Sequence, residues 1–144
     1  MIKTNFSRWN YKLKISVFIC TYNRGHLINQ TLYSLIYCQT QKPDEIVIVN
    51  GGGENNCEET LEEWKIKFPE ITIINTTNIN LAASRNIGLP HCNGDLILQT
   101  DDDARPFPNW IDKMVKYHGK YPEVGVIGGD VIDANRNSFL ANIA

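Results

Sequence analysis

Three consecutive aspartates, Asp101, Asp102 and Asp103, are the residues of this chain best suited to chemistry. They follow the apolar run at residues 96–98, and Pro106 prevents the segment after them from continuing directly into a helix. Like charges on adjacent residues repel, and the repulsion is relieved by protonation, by solvent or by a hard divalent cation such as Mg²⁺ or Mn²⁺. The cluster therefore indicates either a divalent metal site or an acidic, solvated turn after a strand.

Two further polar segments follow apolar runs and carry groups that bind ligands. Residues 20–25 include Tyr22, whose ring suits a base, and Arg24, whose charge suits a phosphate. This segment is neither a G-x-G-x-x-G dinucleotide loop nor a P-loop, and Asn23 in it is alternatively a helix cap. Residues 50–56 include three glycines, which either let a ligand approach the backbone closely or form a flexible connection.

A fourth segment, residues 78–89, is rich in small residues that allow close packing beneath a site. Its candidate polar contacts are Arg85 and Asn86.

The elements that position these segments are predicted from apolar patterning. Short runs typical of strands covered on both faces occur at residues 15–20, 45–49, 71–74, 96–98 and 124–127. Apolar residues at helical spacing separate several of the runs, as at Leu61, Trp64 and Phe68. This alternation predicts an α/β fold with an open, mostly parallel sheet and helices on both faces. Because ligands of such sheets bind beyond the carboxyl ends of the strands, the polar segments are expected at one edge.

Composition narrows the class of protein. The 144 residues are the size of one domain, and we interpret residues 1–13 as a leader and residues 14–144 as that domain. Hydrophobic content of 42% and charged content of 21% are typical of globular proteins, and the net charge of -2 offers no basic stripe for nucleic acid. The four cysteines have neither metal-ligand nor disulfide spacing, which favours a reducing cytoplasm, and no apolar run is long enough to span a membrane.

The order of the motifs resembles the nucleotide-sugar-binding half of family 2 glycosyltransferases of the GT-A fold, from about Lys14 onward. The resemblance rests on several stretches in the family's order and spacing: residues 16–24, Gln39-Thr40, residues 44–49, residues 83–89, Gly94-Asp95, residues 100–103 and residues 108–111.

This resemblance implies an activity. Members of the family transfer a sugar from a nucleoside-diphosphate donor to an acceptor hydroxyl, on a saccharide or another molecule, in polysaccharide or glycoconjugate biosynthesis. The expected transfer depends on Mn²⁺ or Mg²⁺ and proceeds with inversion. The expected location is the cytoplasm, including the inner face of the membrane.

The resemblance also implies site residues. The nucleotide-sugar contacts that it predicts are Thr21, Tyr22, Arg24, Asn50, Arg85, Asn86, Asp101 and Asp102. Among them, Asn50 approaches the base, and Arg85 and Asn86 close the pocket. The three aspartates match the family's D-x-D element, whose first acidic residue faces the ribose and whose last holds the metal. The predicted metal ligands are therefore Asp103 and Asp101.

The chain departs from the family at two points. Asn50 stands where an aspartate is common, and an amide both donates and accepts, so the preferred base stays open. The general base of inverting members lies well downstream of the D-x-D element, and we do not assign that role to Asp130 or Asp133. No catalytic residue is assigned, and residues 14–144 are expected to lack much of the acceptor half. The alternative function is a catalytically silent module that binds a nucleotide sugar or a metal.

Overall fold

The computed structural model describes residues 13–52, 57–77 and 80–132, in which strands and helices alternate. The strands are β1 (Ile15–Thr21), β2 (Glu45–Asn50), β3 (Ile71–Asn75) and β4 (Leu96–Asp101). The helices are α1 (Gly25–Tyr33), α2 (Cys57–Lys67), α3 (Leu81–Gly88) and α4 (Trp110–Lys120). A π-helical turn, Ser34–Cys38, extends α1, and a 3₁₀ turn, Leu89–His91, follows α3.

The four strands form one parallel sheet in the order β3-β2-β1-β4. The central strands β1 and β2 are apolar along almost their whole length because both of their faces are covered. Strand β4 lies at the edge of the described sheet, and its pattern alternates: Leu98 is 5% exposed, whereas its neighbour Ile97 is 40% exposed. The predicted parallel α/β fold is confirmed.

Helices cover both faces of the sheet. One face packs against α1, α2 and α4, through apolar residues such as Leu32, Leu61 and Ile111. The other face carries Phe18, Val47 and Val49, and α3 lies against it. Every helix among the described residues is too short or too polar to traverse a bilayer.

A hydrogen-bond network joins the strands at their amino ends. The Glu45 carboxylate accepts hydrogen bonds from the Ser16 hydroxyl and from the Asn93 backbone and side chain. The Gly94 N–H donates to Ser16 Oγ at 2.7 Å. A Cβ at Gly94 would lie 2.5 Å from the Ser16 backbone nitrogen, so only glycine allows this approach. The carboxyl ends of the strands lie at the opposite edge of the sheet, where the candidate site is found.

Two sequence-based expectations are wrong. Residues 124–127 are not a strand: Val126 is 86% exposed, and the described residues offer this stretch no partner strand. β-Branched residues interrupted by glycines gain little from an extended conformation without a ladder of hydrogen bonds. The helix cap is the second error, because the residue before α1 is Arg24 rather than Asn23. Asn23 instead has a left-handed φ of 56°.

Candidate functional site

The polar segments after β1, β2 and β4 meet at one edge of the sheet. In the register of the strands, Thr21 is paired with Asn50, and Cys20 is paired with Asp101. Parallel strands place their carboxyl ends side by side, so each following loop starts next to the others. The loop of Tyr22 and the aspartates are thereby brought together, although many residues separate them in sequence.

Asp102 is a buried carboxylate at the centre of this edge. It is 5% exposed, and it accepts hydrogen bonds from the Thr21 hydroxyl at 2.8 Å and from Arg24 Nη1 at 3.2 Å. A buried charge is tolerated only where it is paired and hydrogen-bonded, and both conditions are met here. The repulsion among the aspartates is therefore relieved in part by a guanidinium, a partner that lies far away in the sequence.

Asp101 and Asp103 flank this buried residue and are exposed. One carboxylate oxygen of Asp103 lies 3.4 Å from Arg24 Nη1, and the Asp103 side chain is 53% exposed. The described residues contain no group of three or more histidines, cysteines, aspartates or glutamates placed to hold a metal. Two exposed carboxylates are nevertheless a suitable donor set for Mg²⁺ or Mn²⁺, because such ions often bind one or two carboxylates together with substrate phosphates.

The loop of the aspartates is held in place by the helix that follows β1. The Thr31 hydroxyl, buried in α1, lies 2.8 Å from the Asp102 carbonyl oxygen and 2.7 Å from the Ala104 carbonyl oxygen. Its single proton serves one of these acceptors at a time. The adjacent residue Gln30 accepts a hydrogen bond from the Arg105 guanidinium. The backbone of the acidic loop is thus fixed against α1 on both sides of Asp103.

Gln39 anchors the end of the same loop. Its amide Nε2 donates to the Phe107 carbonyl at 2.9 Å, and its Oε1 accepts from the Ile111 N–H at 3.3 Å. Sequence reasoning assigned no role to Thr31 or Gln39. The Gln39-Thr40 pair was visible as a motif, whereas no local pattern distinguishes Thr31 from other small polar residues on a helix.

An open, shallow cleft lies where the loops after β1, β2 and β3 meet. Its volume is about 640 Å³, and its lining residues are Tyr22, Gly51, Gly52, Glu58, Asn75, Thr76 and Thr77. The loops after β1 and β2 are tied together because the Asn23 N–H donates to the Gly52 carbonyl at 3.1 Å. Gly52 has a φ of 85°, which an L side chain rarely adopts. The volume of the cleft suits a small ligand. The exposed aromatic ring of Tyr22 forms one of its walls.

Asn50 is fully buried beneath the cleft. Its Nδ2 donates to Asn75 Oδ1 at 3.0 Å, and its Oδ1 accepts from the Gly52 N–H at 3.1 Å. The side chain therefore shapes the glycine loop, and its predicted contact with a base stays a prediction.

Residues 53–56 of that loop and Asp133 lie outside the described residues. Asp130 is described and is exposed after α4.

Arg85 and Asn86 lie on α3, on the opposite face of the sheet from α1. With the Gln99 amide oriented so that its oxygen faces the guanidinium, Oε1 accepts from Arg85 Nε and Nη2, each at 2.8 Å. Asn86 is exposed. As consecutive helical residues, the two side chains project about 100° apart. The structure therefore brings Arg85 to β4 and leaves Asn86 toward solvent.

The thiols at this edge are not activated. Burial raises the pKa of Cys20, and the nearby Asp101 and Asp102 add to this effect against the opposing charge of Arg85. Burial likewise raises the pKa of Cys57, whose sulfur lies 4.0 Å from the Thr21 hydroxyl. Since the thiolate is the nucleophile, raised pKa values argue against covalent catalysis by either residue. All four cysteines of the chain are free.

Comparisons with known proteins show which family the sequence matches. The sequence model of the family described as glycosyl transferase family 2 matches residues 16–139. A glucosyl-dolichyl phosphate glucuronosyltransferase of Haloferax volcanii is 30% identical over 122 residues, which cover 83% of this chain and 39% of that protein. A glycosyltransferase of Bacillus subtilis is 40% identical over 107 residues, which cover 72% of this chain and 38% of that protein.

A solved structure shows the same fold. The mannosyltransferase PcManGT from Pyrobaculum calidifontis, in complex with GDP-Man and Mn²⁺, superposes with a TM-score of 0.67 and 27% identity. The matched part covers 76% of this chain and 33% of that one. The chain thus spans about two fifths of the length of these curated relatives and one third of this solved chain.

Proposed function

The chain belongs to glycosyl transferase family 2, and from that membership we propose that it forms the donor-binding region of a metal-dependent glycosyltransferase. The proposed donor is a nucleoside-diphosphate sugar, and the proposed acceptor is a hydroxyl of a saccharide or another molecule. The observation that carries the proposal is the meeting of the acidic loop with Thr21 and Arg24 at the carboxyl edge of the sheet, beside the cleft of Tyr22.

The nucleotide is proposed to bind in the cleft after β1 and β2. Tyr22 supplies an exposed ring, and Gly51 and Gly52 let the ligand approach the backbone. Arg24 is charged and half exposed, so it suits the diphosphate. Asn50, Arg85 and Asn86 complete the predicted contacts with the nucleotide sugar.

The metal is proposed to bind Asp101 and Asp103. Their exposure and hard oxygen donors suit Mn²⁺ or Mg²⁺, and the related mannosyltransferase contains Mn²⁺ with its donor. A bound divalent ion would stabilise the charge that develops on the leaving diphosphate. Asp102 is buried and accepts hydrogen bonds from Thr21 and from the half-exposed Arg24. We propose that it holds the loop and lies toward the donor rather than toward the metal.

Transfer with inversion requires a base that deprotonates the acceptor hydroxyl, and we assign that role to no described residue. The preferred base of the nucleotide, the donor sugar and the cytoplasmic location stay predictions from the sequence. A catalytically silent nucleotide-sugar-binding module is the alternative, and it differs from the enzyme in one observable, the formation of a product.

Thermal denaturation with added ligands tests the proposal. We expect UDP or GDP together with MnCl₂ to raise the melting temperature more than either component alone, because ligands that bind only the folded state stabilise it. At a ligand concentration of 100 times Kd the stabilisation is about 2.7 kcal/mol. An equal melting temperature with and without Mn²⁺, at saturating nucleotide, would contradict metal-dependent binding. A product assay over a panel of donors then separates transfer from silent binding.

A further inference from the structure

Gln99, a residue of β4 with no role assigned above, lies against the predicted donor contact Arg85. Helix α3 packs directly on β1 and β2 at Gly88, close enough to the sheet for the Arg85 side chain to reach β4. A Cβ at Gly88 would lie 2.3 Å from Phe18 Cε2 and 2.5 Å from Val49 Cγ2, so any other residue would push the helix away. In the strand register, the partner of Phe18 on β4 is Gln99. Arg85 precedes Gly88 by about one helical turn, on the same side of α3.

The contact between the two side chains is bidentate. Gln99 Oε1 accepts from both Nε and Nη2 of Arg85 at 2.8 Å, so the guanidinium is held by two of its donors. A guanidinium has five N–H donors, and three remain for another acceptor. Strand alternation places Gln99 and Asp101 on the same face of β4. The Arg85 guanidinium, held by Gln99, therefore lies on the same face of β4 as Asp101, the first aspartate of the acidic loop.

We propose that Gln99 is a positioning residue that orients Arg85 for the diphosphate of the donor. This inference rests on the proposed function, because it needs Arg85 to contact the donor. A free arginine side chain loses rotamer freedom when it binds an anion, and a side chain already held in place loses less. The amide suits this task because it accepts two hydrogen bonds without neutralising the charge that attracts the anion.

The experiment is a double-mutant cycle measured by calorimetric titration of UDP and of GDP in the presence of MnCl₂. The variants are Arg85→Ala, Gln99→Ala and the double variant. We expect Gln99→Ala to weaken binding by about twofold to tenfold, because an arginine that is not held in place loses its rotamer freedom on binding the anion. The double variant should bind like Arg85→Ala alone, because Gln99 acts only through Arg85.

Two further variants separate positioning from folding. Gln99→Glu keeps two acceptor lone pairs toward Arg85 but neutralises its charge, so it should melt like the unchanged chain and still bind the nucleotide more weakly. Thr100→Ala, the next residue on the opposite face of β4, should bind like the unchanged chain. If Gln99→Ala binds with unchanged affinity while Arg85→Ala binds more weakly, Gln99 has no positioning role, although Arg85 remains a donor contact. Additive losses in the double variant would also overturn it, since Gln99 would then contact the ligand itself. Unchanged binding in Arg85→Ala would refute Arg85 as a donor contact and this inference with it, while leaving the metal dependence of nucleotide binding as a separate test.

Discussion

At the scale of single residues, three identical aspartates have three different environments. Asp101 ends β4 and is exposed, Asp102 is buried with two donors, and Asp103 is half exposed beside Arg24. Chemical type alone therefore does not separate the carboxylate that stabilises the fold from those available to a ligand. Burial and hydrogen-bond partners make that distinction.

The neighbours Asp102 and Asp103 are expected to respond differently to alanine. Asp102→Ala should lower the free energy of unfolding by about 1–3 kcal/mol, because the buried Thr21 hydroxyl loses its acceptor. Asp103→Ala should change it by less than about 0.5 kcal/mol, since the side chain is half exposed, yet it should abolish the effect of Mn²⁺ on UDP binding. Urea denaturation and calorimetry measure the two effects.

Asp112→Ala is the matched control, because Asp112 is a carboxylate on α4 paired with Lys116 at 2.8 Å. It should preserve both stability and metal-dependent binding. If Asp103→Ala destabilises the chain as strongly as Asp102→Ala does, the exposed carboxylate is structural and the proposed metal ligand is wrong.

At the scale of elements, α1 links the core to the acidic loop. Its residues Ile28 and Leu32 pack in the core, while Thr31 hydrogen-bonds the backbone at Asp102 or Ala104. Thr31→Val keeps the shape and removes the hydroxyl, so it should weaken Mn²⁺-dependent UDP binding by loosening the loop. Thr31→Ser keeps the hydroxyl and should retain that binding. Titrations of both variants at equal folded fraction test this, and equal affinities would exclude a positioning role for the hydroxyl.

Consecutive residues of the edge strand β4 alternate between the buried core and the exposed face of the sheet. Leu98→Ala should cost about 2–5 kcal/mol of unfolding free energy, because it leaves a cavity among buried residues. Ile97→Ala should cost clearly less, since Ile97 lies on the other face and is 40% exposed. Urea denaturation compares the two, and similar losses would mean that the exposed face of β4 is covered in solution.

At the scale of the whole molecule, the Glu45 network fastens the amino ends of the sheet while the carboxyl ends stay open. Burial raises the pKa of Glu45, but the hydrogen bonds from Ser16 and Asn93 and the charge of Lys14 outweigh it, so the pKa is lowered. A carboxyl whose pKa is lower in the folded state contributes stability above its unfolded pKa of about 4.3, and this contribution is lost as the pH falls through the folded value.

The expected result is a stability profile that depends on this one residue. Between about pH 5 and about pH 3, unfolding free energy should fall less steeply in Glu45→Gln than in the unchanged chain. Glu63→Gln is the control, because Glu63 is an exposed helix residue 4.0 Å from Lys67. Denaturation at a series of pH values gives the slopes, and identical slopes in all three proteins would show that Glu45 does not contribute.

Sequence alone determined the features that arise from local pattern. The continuous apolar runs predicted the four strands and the parallel sheet, and the ordered motifs predicted the family, which the comparisons confirm. Close spacing in the chain also predicted that the aspartates form one functional loop, and their role in binding stays a prediction. These inferences succeed because periodicity and motif spacing are properties of neighbouring residues.

Only the tertiary structure decided which residues hold that loop. Thr31 and the Asp102 carbonyl are 71 residues apart in sequence, and Arg24 and the Asp102 carboxylate are 78 apart. No local pattern encodes such contacts, because the fold of the whole sheet brings the partners together. The failed strand at residues 124–127 has the same cause: an apolar run becomes a strand only where another strand completes its hydrogen bonds, and the described residues supply none there.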